Sequence, residues 1–443
     1  MRMIKSITAR FGREDAVIRK FLKGSFWAVY GNIAVKGFSL ISSMIIARWV
    51  GSDTFGQLSI IKTTLSVFSL FATFGLGVTV TKFVAESKRL GDRELATTIK
   101  AANSITLFTG SVLGLVIVLF APFISDSILA NEGLTNPLRI SGLYLFFNSL
   151  NVYQLGVIAG LEAFRQLARI NLIMGFLTLP ILLSATYFGG LEGTLWGLTI
   201  HLIINWYLNR ALIIEKVAES GITVVKSKVS TRIKELVRFS YPLALKEIIY
   251  SLSNWAVFYL LLINTDFAQV GVFNSAYQLA QLILFLPASV LTVFLSILSH
   301  QTDNRQNYNQ LIRKNLILTF IITAGVGLGI IVFSGFIYKF YGISYEGGEV
   351  ILYILTVATI PMALIGVLEQ VCISSSNPTQ VTVFQFLIQF LILASTITLF
   401  HFYVSAESLA YAILIGNSIS FAVMYYYLKR TGSIQQTATI SQN

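Results

Sequence analysis

Charge is what this chain lacks most. Lys, Arg, Asp and Glu make up 12% of its 443 residues, about half the ~25% of an ordinary soluble protein. With 55% hydrophobic residues and a mean hydropathy of +0.74, that shortage excludes a soluble globular protein. Cysteine is nearly missing: Cys372 is the only one, so an intrachain disulfide is excluded and the redox compartment cannot be read. Histidine is scarce and scattered, with His201, His300 and His401 on different segments, so metal-ligand spacing is absent. A Gly-rich phosphate loop and a nucleophile elbow are absent too. The longest polar stretch, 215–238, is too short for a nucleotide-binding domain.

What is present is apolar runs long enough to cross a bilayer, at roughly 20 residues each. About twelve can be placed, at 24–47, 58–83, 101–121, 138–160, 168–188, 193–214, 239–263, 272–298, 315–337, 349–372, 380–404 and 408–428. They are continuously apolar and about twice the ~10-residue alternating segments of outer-membrane barrels. The expected fold class is therefore an all-α integral membrane protein. Its organisation reads as a basic tail (1–23), a first lobe (24–214), a linker (215–238), a second lobe (239–428) and a C-terminal tail (429–443). The run after the first tail is too long for a signal-peptide core and lacks a small-residue cleavage site, so the tail is read as uncleaved and interfacial.

The net charge of +12 follows topology rather than nucleic acid. Of the 32 Lys and Arg, 26 fall in the tails and the even-numbered connections, whereas the odd ones hold only Arg48, Arg139 and Lys339. By the positive-inside rule both termini are expected in the cytoplasm. No nucleic-acid partner is expected; membrane lipids are.

Shifting the chain by 215 residues superposes landmarks along a whole half. Ser25 falls on Ser240, Gly56 on Gly271 and Glu192 on Glu407. Two six-helix halves of the same topology follow, as in transporters with parallel repeats. Such halves are expected to enclose a central cavity that opens alternately to either side.

A charge at a helix centre costs at least about 2.5–3.5 kcal/mol on insertion scales, so it should face a cavity or a partner. Ser25, Asn32, Lys36, Ser39 and Ser43 are spaced seven, four, three and four apart, on one helical face. Shifted, that face becomes Ser240, Glu247, Ser251, Asn254 and Phe258, with Lys246 beside Glu247 but about 100° round the helix. A second stripe, Ser59, Lys62, Ser66, Ser69 and Thr73, has its first three members repeated as Asn274, Tyr277 and Gln281. The substrate-binding candidates are therefore Asn32, Lys36, Ser39, Ser43, Lys62, Ser66, Lys246, Glu247, Ser251, Asn254, Asn274, Tyr277 and Gln281. Arg48, Asn148, Asn151 and Glu369 are secondary candidates. The competing reading is structural: hydroxyls and amides tie membrane helices together, Lys36 can pair with Glu247, and a lysine near a helix end can snorkel. Lys62, in a helix read as starting at 58, fits snorkelling as well as function.

The opening "GSFWAVYGNIAVKGFSLISSMIIARWVGSDTFGQLSI", followed by "TKFVAE", resembles the N-terminal signature of the polysaccharide transporters in the multidrug/oligosaccharidyl-lipid/polysaccharide exporter superfamily. "AQVGVFNSAYQLAQLILFLPASVL" resembles the matching segment of that family's second half. The resemblance implies a multidrug-exporter-like (MATE-like) fold of two pseudo-symmetric six-helix bundles. It implies a flippase for undecaprenyl-pyrophosphate-linked oligosaccharide, of O-antigen (lipopolysaccharide) or capsular type, in a bacterial inner membrane. A cationic central cavity would then draw on Lys36, Lys62 and Lys246. The alternatives are a drug or organic-cation antiporter of the same superfamily and, further off, a glycan-processing membrane enzyme, which the short outer connections disfavour. No enzyme activity and no cofactor is expected, beyond proton or sodium coupling through Glu247 or Glu369. The expected partners are the lipid-linked oligosaccharide, a polysaccharide polymerase and a chain-length regulator, with the transporter itself working as a monomer.

Overall fold

The computed structural model describes residues 15–219, 229–299, 305–374 and 378–431, and every element among them is helical. In chain order these are α1 (Asp15–Thr73), α2 (Leu76–Leu90), α3 (Asp92–Phe123), α4 (Thr135–Gly160), α5 (Phe164–Glu219) and α6 (Val229–Asn264), then α7 (Phe267–Ser299), α8 (Arg305–Tyr341), α9 (Gly348–Ser374), α10 (Pro378–Phe402) and α11 (Ala406–Arg430). Hydrocarbon offers no hydrogen bonds, so long apolar runs must satisfy their own backbone as helix. Nine helices among the described residues are long and apolar enough to cross a membrane. The chain is an all-α, multi-pass membrane protein.

Two of these helices, α1 and α5, each contain two spans. The backbone leaves the helix at Gly51 (φ 77°, ψ 170°) and Gly190 (φ 53°, ψ −127°), conformations that glycine alone adopts without strain. Past Gly190 the chain doubles back. Thr186 meets Thr194 at 2.9 Å and Thr178 meets His201 Nδ1 at 3.2 Å, the pairing of an antiparallel hairpin.

The run 58–83, read from sequence as one helix, is interrupted between α1 and α2 at Phe74 (φ 45°) and Gly75 (φ 70°). A break inside the membrane frees carbonyls that need donors, and Thr109 of α3 donates to the Ala72 carbonyl at 2.6 Å. The residue 215 beyond Ala72 is Pro287, inside α7, where proline also removes a helix bond. Both halves thus weaken the same span at the same level.

Thr135 and Gly348 start helices within two residues of the 215 offset, and the bends at Gly51 and Gly190 fall, 215 residues on, in the breaks between α6 (to Asn264) and α7 (from Phe267) and between α10 (to Phe402) and α11 (from Ala406). The duplication seen in sequence is therefore a duplication of structure, two pseudo-symmetric bundles. Packing gathers the described residues into two compact units, those up to 43 with those in 68–244, and 44–67 with those from 245 on.

In the first unit, Leu76, Val80 and Val84 of α2 are buried with Leu150 and Val157 of α4. Arg232 ties the start of α6 to α2 and α3. Its Nε donates to Thr98 Oγ1 at 2.9 Å and its Nη2 to Ser87 Oγ at 2.7 Å, with the guanidinium 5.0 Å from the Phe83 ring centre. Arg232→Ala should cost about 2 kcal/mol through lost charge-assisted bonds, seen as a lower thermal midpoint of the purified protein. Arg232→Lys should recover only part, because an ammonium lacks the planar fork. An unshifted midpoint for the alanine variant would refute the clamp.

In the second unit, α1 beyond its bend packs on α7 through two glycines. A Cβ on Gly56 would overlap the Phe267 carbonyl, and one on Gly271 the Ser52 carbonyl. Both pairs, Gly56 with Gly271 and Ser52 with Phe267, are separated by the repeat offset. The contact is therefore reciprocal, with each glycine seated on the repeat counterpart of its own helix.

Candidate functional site

On α1 within the first unit, Lys36 and Ser39 are exposed and Ser43 is half-buried. The side chain of Asn32, and that of Lys246 on α6, lie outside the described residues. Asn148 donates to Ser69 Oγ at 2.8 Å, joining α4 to α1. Asn151 is buried; its amide nitrogen donates to the carbonyls of Phe147 at 2.8 Å and Leu202 at 2.9 Å, and its oxygen accepts from Asn209 at 3.3 Å. Asn151 is thus fully engaged between α4 and α5.

In the second unit, Arg48 donates to the Phe340 carbonyl at 2.8 Å with its guanidinium 5.7 Å from the Phe340 ring centre, tying α1 to α8. Lys62 lies deeper than the sequence suggests. Its span starts just after Gly51, not at 58, so ten residues at 1.5 Å each set it about 15 Å in, beyond easy snorkelling. The side chain is exposed, and it makes no hydrogen bond, ion pair or ring contact among the described residues. One turn on, Ser66 Oγ meets Ser251 Oγ of α6 at 3.0 Å. Glu247, one turn before Ser251, is exposed. Asn274 and Gln281 flank Tyr277 on α7, all three half-buried.

A cavity of about 190 Å³ lies inside this unit, walled by α6, α7, α9, α10 and α11. Three sequence-chosen residues meet there: Asn254, Tyr277 and Glu369. Tyr250 adds a second phenol, its hydroxyl 3.4 Å from that of Tyr277. Gln385 and Gln389 enter from α10 and Asn417 from α11. These last four were missed by sequence reasoning, although the same register test would have found the glutamines: they stand four apart in an otherwise apolar span, on one face with Ile388 and Ile392.

Gln385 is 8% and Gln389 6% exposed, and neither amide has a hydrogen-bond partner among the described residues. Asn417 commits its nitrogen to the Ile413 carbonyl at 2.8 Å, leaving its oxygen for the cavity. No lysine or arginine lines the space among the described residues.

Among known proteins, the profile of the family described as "Polysaccharide biosynthesis protein" matches residues 21–300. Stage V sporulation protein B of Bacillus subtilis (strain 168) is 24% identical over 119 residues, 27% of this chain and 23% of that protein, so the match spans under a quarter of that relative. Among solved structures, an inward-facing conformation of a multidrug resistance MATE family transporter of the MOP superfamily superposes with a TM-score of 0.76 at 13% identity, covering 89% of this chain and 94% of that one. A MOP superfamily transporter from Pyrococcus furiosus Vc1 (DSM3638), described as having a binding pocket of reverse polarity that suggests a different function, gives 0.67 at 15% identity, covering 94% and 96%. The MATE multidrug transporter DinF-BH gives 0.69 at 15% identity with the same coverage. At such identities these likenesses show the fold alone, that of MATE transporters.

Proposed function

The chain belongs to the polysaccharide biosynthesis protein family, and on that premise we propose that it is a flippase carrying an undecaprenyl-pyrophosphate-linked oligosaccharide, an O-antigen or capsule repeat unit, across the bacterial inner membrane by alternating access. The observation that carries this reading is Lys62, an exposed cation about 15 Å into its span with no counter-charge among the described residues. Holding an uncompensated charge at that depth is costly, and a mobile anion offsets the cost when it arrives. Lysine meets phosphate oxygens as a point charge, so Lys62 takes the pyrophosphate. Ser66, Ser251 and the amides of the second-unit cavity take sugar hydroxyls. Glu247 or Glu369 couples transport to a proton or sodium gradient. The flippase stands between the enzymes that assemble the repeat unit inside and the polymerase and chain-length regulator outside, with both of its own termini in the cytoplasm.

The second reading, export of a drug or organic cation, is favoured by the fold shared with multidrug transporters and disfavoured by Lys62, which repels a cation. Proteoliposomes of the purified protein decide between them. Labelled undecaprenyl-pyrophosphate oligosaccharide is expected to change leaflet faster than in empty vesicles and to be recovered chemically unchanged. Transport of tetraphenylphosphonium with no movement of the lipid-linked glycan would overturn the flippase reading, and hydrolysis or transfer of the sugar would point to an enzyme.

A further inference from the structure

We infer that the cavity inside the second unit is a sugar subsite that receives one neutral or acetamido pyranose ring of the cargo, separate from wherever the pyrophosphate is held. This rests on the flippase reading and specifies where one part of the substrate goes.

Size comes first. At about 190 Å³ the cavity has room for about six waters at ~30 Å³ each, comparable to one six-membered ring with its substituents.

Chemistry agrees. A pyranose presents hydroxyls that both donate and accept, and an amide offers both functions side by side. Gln385 and Gln389 supply two such groups, each more than nine-tenths buried and without a partner among the described residues. The free oxygen of Asn417 and the half-buried Asn254 extend the set across the cavity to α11 and α6. Tyr277 adds a phenol to the lining, while Ile388 and Ile392 form apolar wall. With no lysine or arginine in the lining among the described residues, the cavity cannot be the pyrophosphate seat. Both amides open onto the cavity, where a ligand with matching hydroxyls can meet them.

The test uses the purified full chain in nanodiscs and a panel of methyl glycosides of hexoses and N-acetylhexosamines, with tetraphenylphosphonium and inorganic pyrophosphate as the rival probes. At least one glycoside should bind saturably. Replacing both glutamines by leucine should weaken it about tenfold or more, the loss of one to two hydrogen bonds, while the thermal midpoint of the empty protein stays level or rises. Asn254→Leu, on a different wall, should weaken the same glycoside. The inference is overturned if no glycoside binds, if the glutamine substitutions lower the midpoint and leave glycoside affinity unchanged, or if tetraphenylphosphonium or pyrophosphate is the probe they weaken.

The translocation assay on the same preparations separates the two readings. A double variant that moves lipid-linked glycan as fast as wild type sinks the sugar subsite and leaves the flippase standing. A wild-type protein that moves none sinks the flippase, and a glutamine-dependent glycoside signal would still support the pocket.

Discussion

Gly56→Ala and Gly271→Ala should each destabilise the protein by about 1–3 kcal/mol, toward the upper end of the usual cost of overpacking. The obstructing atoms are the main-chain carbonyls of Phe267 and Ser52, which cannot rotate away as a side chain would. Relief requires α1 and α7 to move apart, and Phe55, Val270 and Phe273, neighbours of the glycines in sequence, are nearly fully buried. Alanine's better helix propensity, worth ~1 kcal/mol over glycine, offsets only part of this. The two sites share one contact, so the double variant should cost less than the sum of the singles: once the first Cβ has opened the gap, the second enters more easily. Gly37 is the control. A Cβ there meets nothing within 4 Å, so Gly37→Ala should leave the thermal midpoint level or slightly raised. Equal midpoints for Gly37→Ala and Gly56→Ala would show that the reciprocal contact is absent from the folded protein.

Lys62→Ala should reduce glycan translocation about 10- to 100-fold, the equivalent of losing one charge-assisted contact of ~1.5–3 kcal/mol. Adding Lys36→Ala should abolish transport. The protein itself should be no less stable, because Lys62 has no partner to strand among the described residues and its removal relieves a membrane-buried charge. A merely structural lysine behaves in the opposite way, losing midpoint and keeping rate. Lys62→Arg keeps the charge and should retain most transport. Normal export by the Lys36→Ala, Lys62→Ala double variant would remove the cationic path from the mechanism.

Legibility in the sequence differed from residue to residue. The spans and the repeat could be read because hydrocarbon imposes one rule on every long segment, and duplication leaves a constant offset. Ser66 and Ser251 were drawn from two separate stripes and are hydrogen-bonded to each other. Asn254, Tyr277 and Glu369 were chosen on three different helices and share one cavity. Asn151, chosen by polarity alone, is held by backbone carbonyls on both sides, a distinction no periodicity can make. Lys62 was misplaced toward a helix end because hydropathy starts the span at 58, whereas the turn is set by the φ of Gly51, a property of conformation and not of composition.

By itself the sequence determined that this is an all-helical membrane protein of two repeated halves with its cations gathered in alternate connections, because burial in lipid is paid residue by residue along the chain. Only the tertiary structure decided which polar side chains are consumed in holding helices together and which are left for a ligand. Asn151 and Gln385 are the same chemistry in the same kind of apolar run. They differ in what stands opposite: for one a carbonyl of the next helix, for the other an open space walled by five helices whose residues lie as much as 167 apart, from Tyr250 to Asn417.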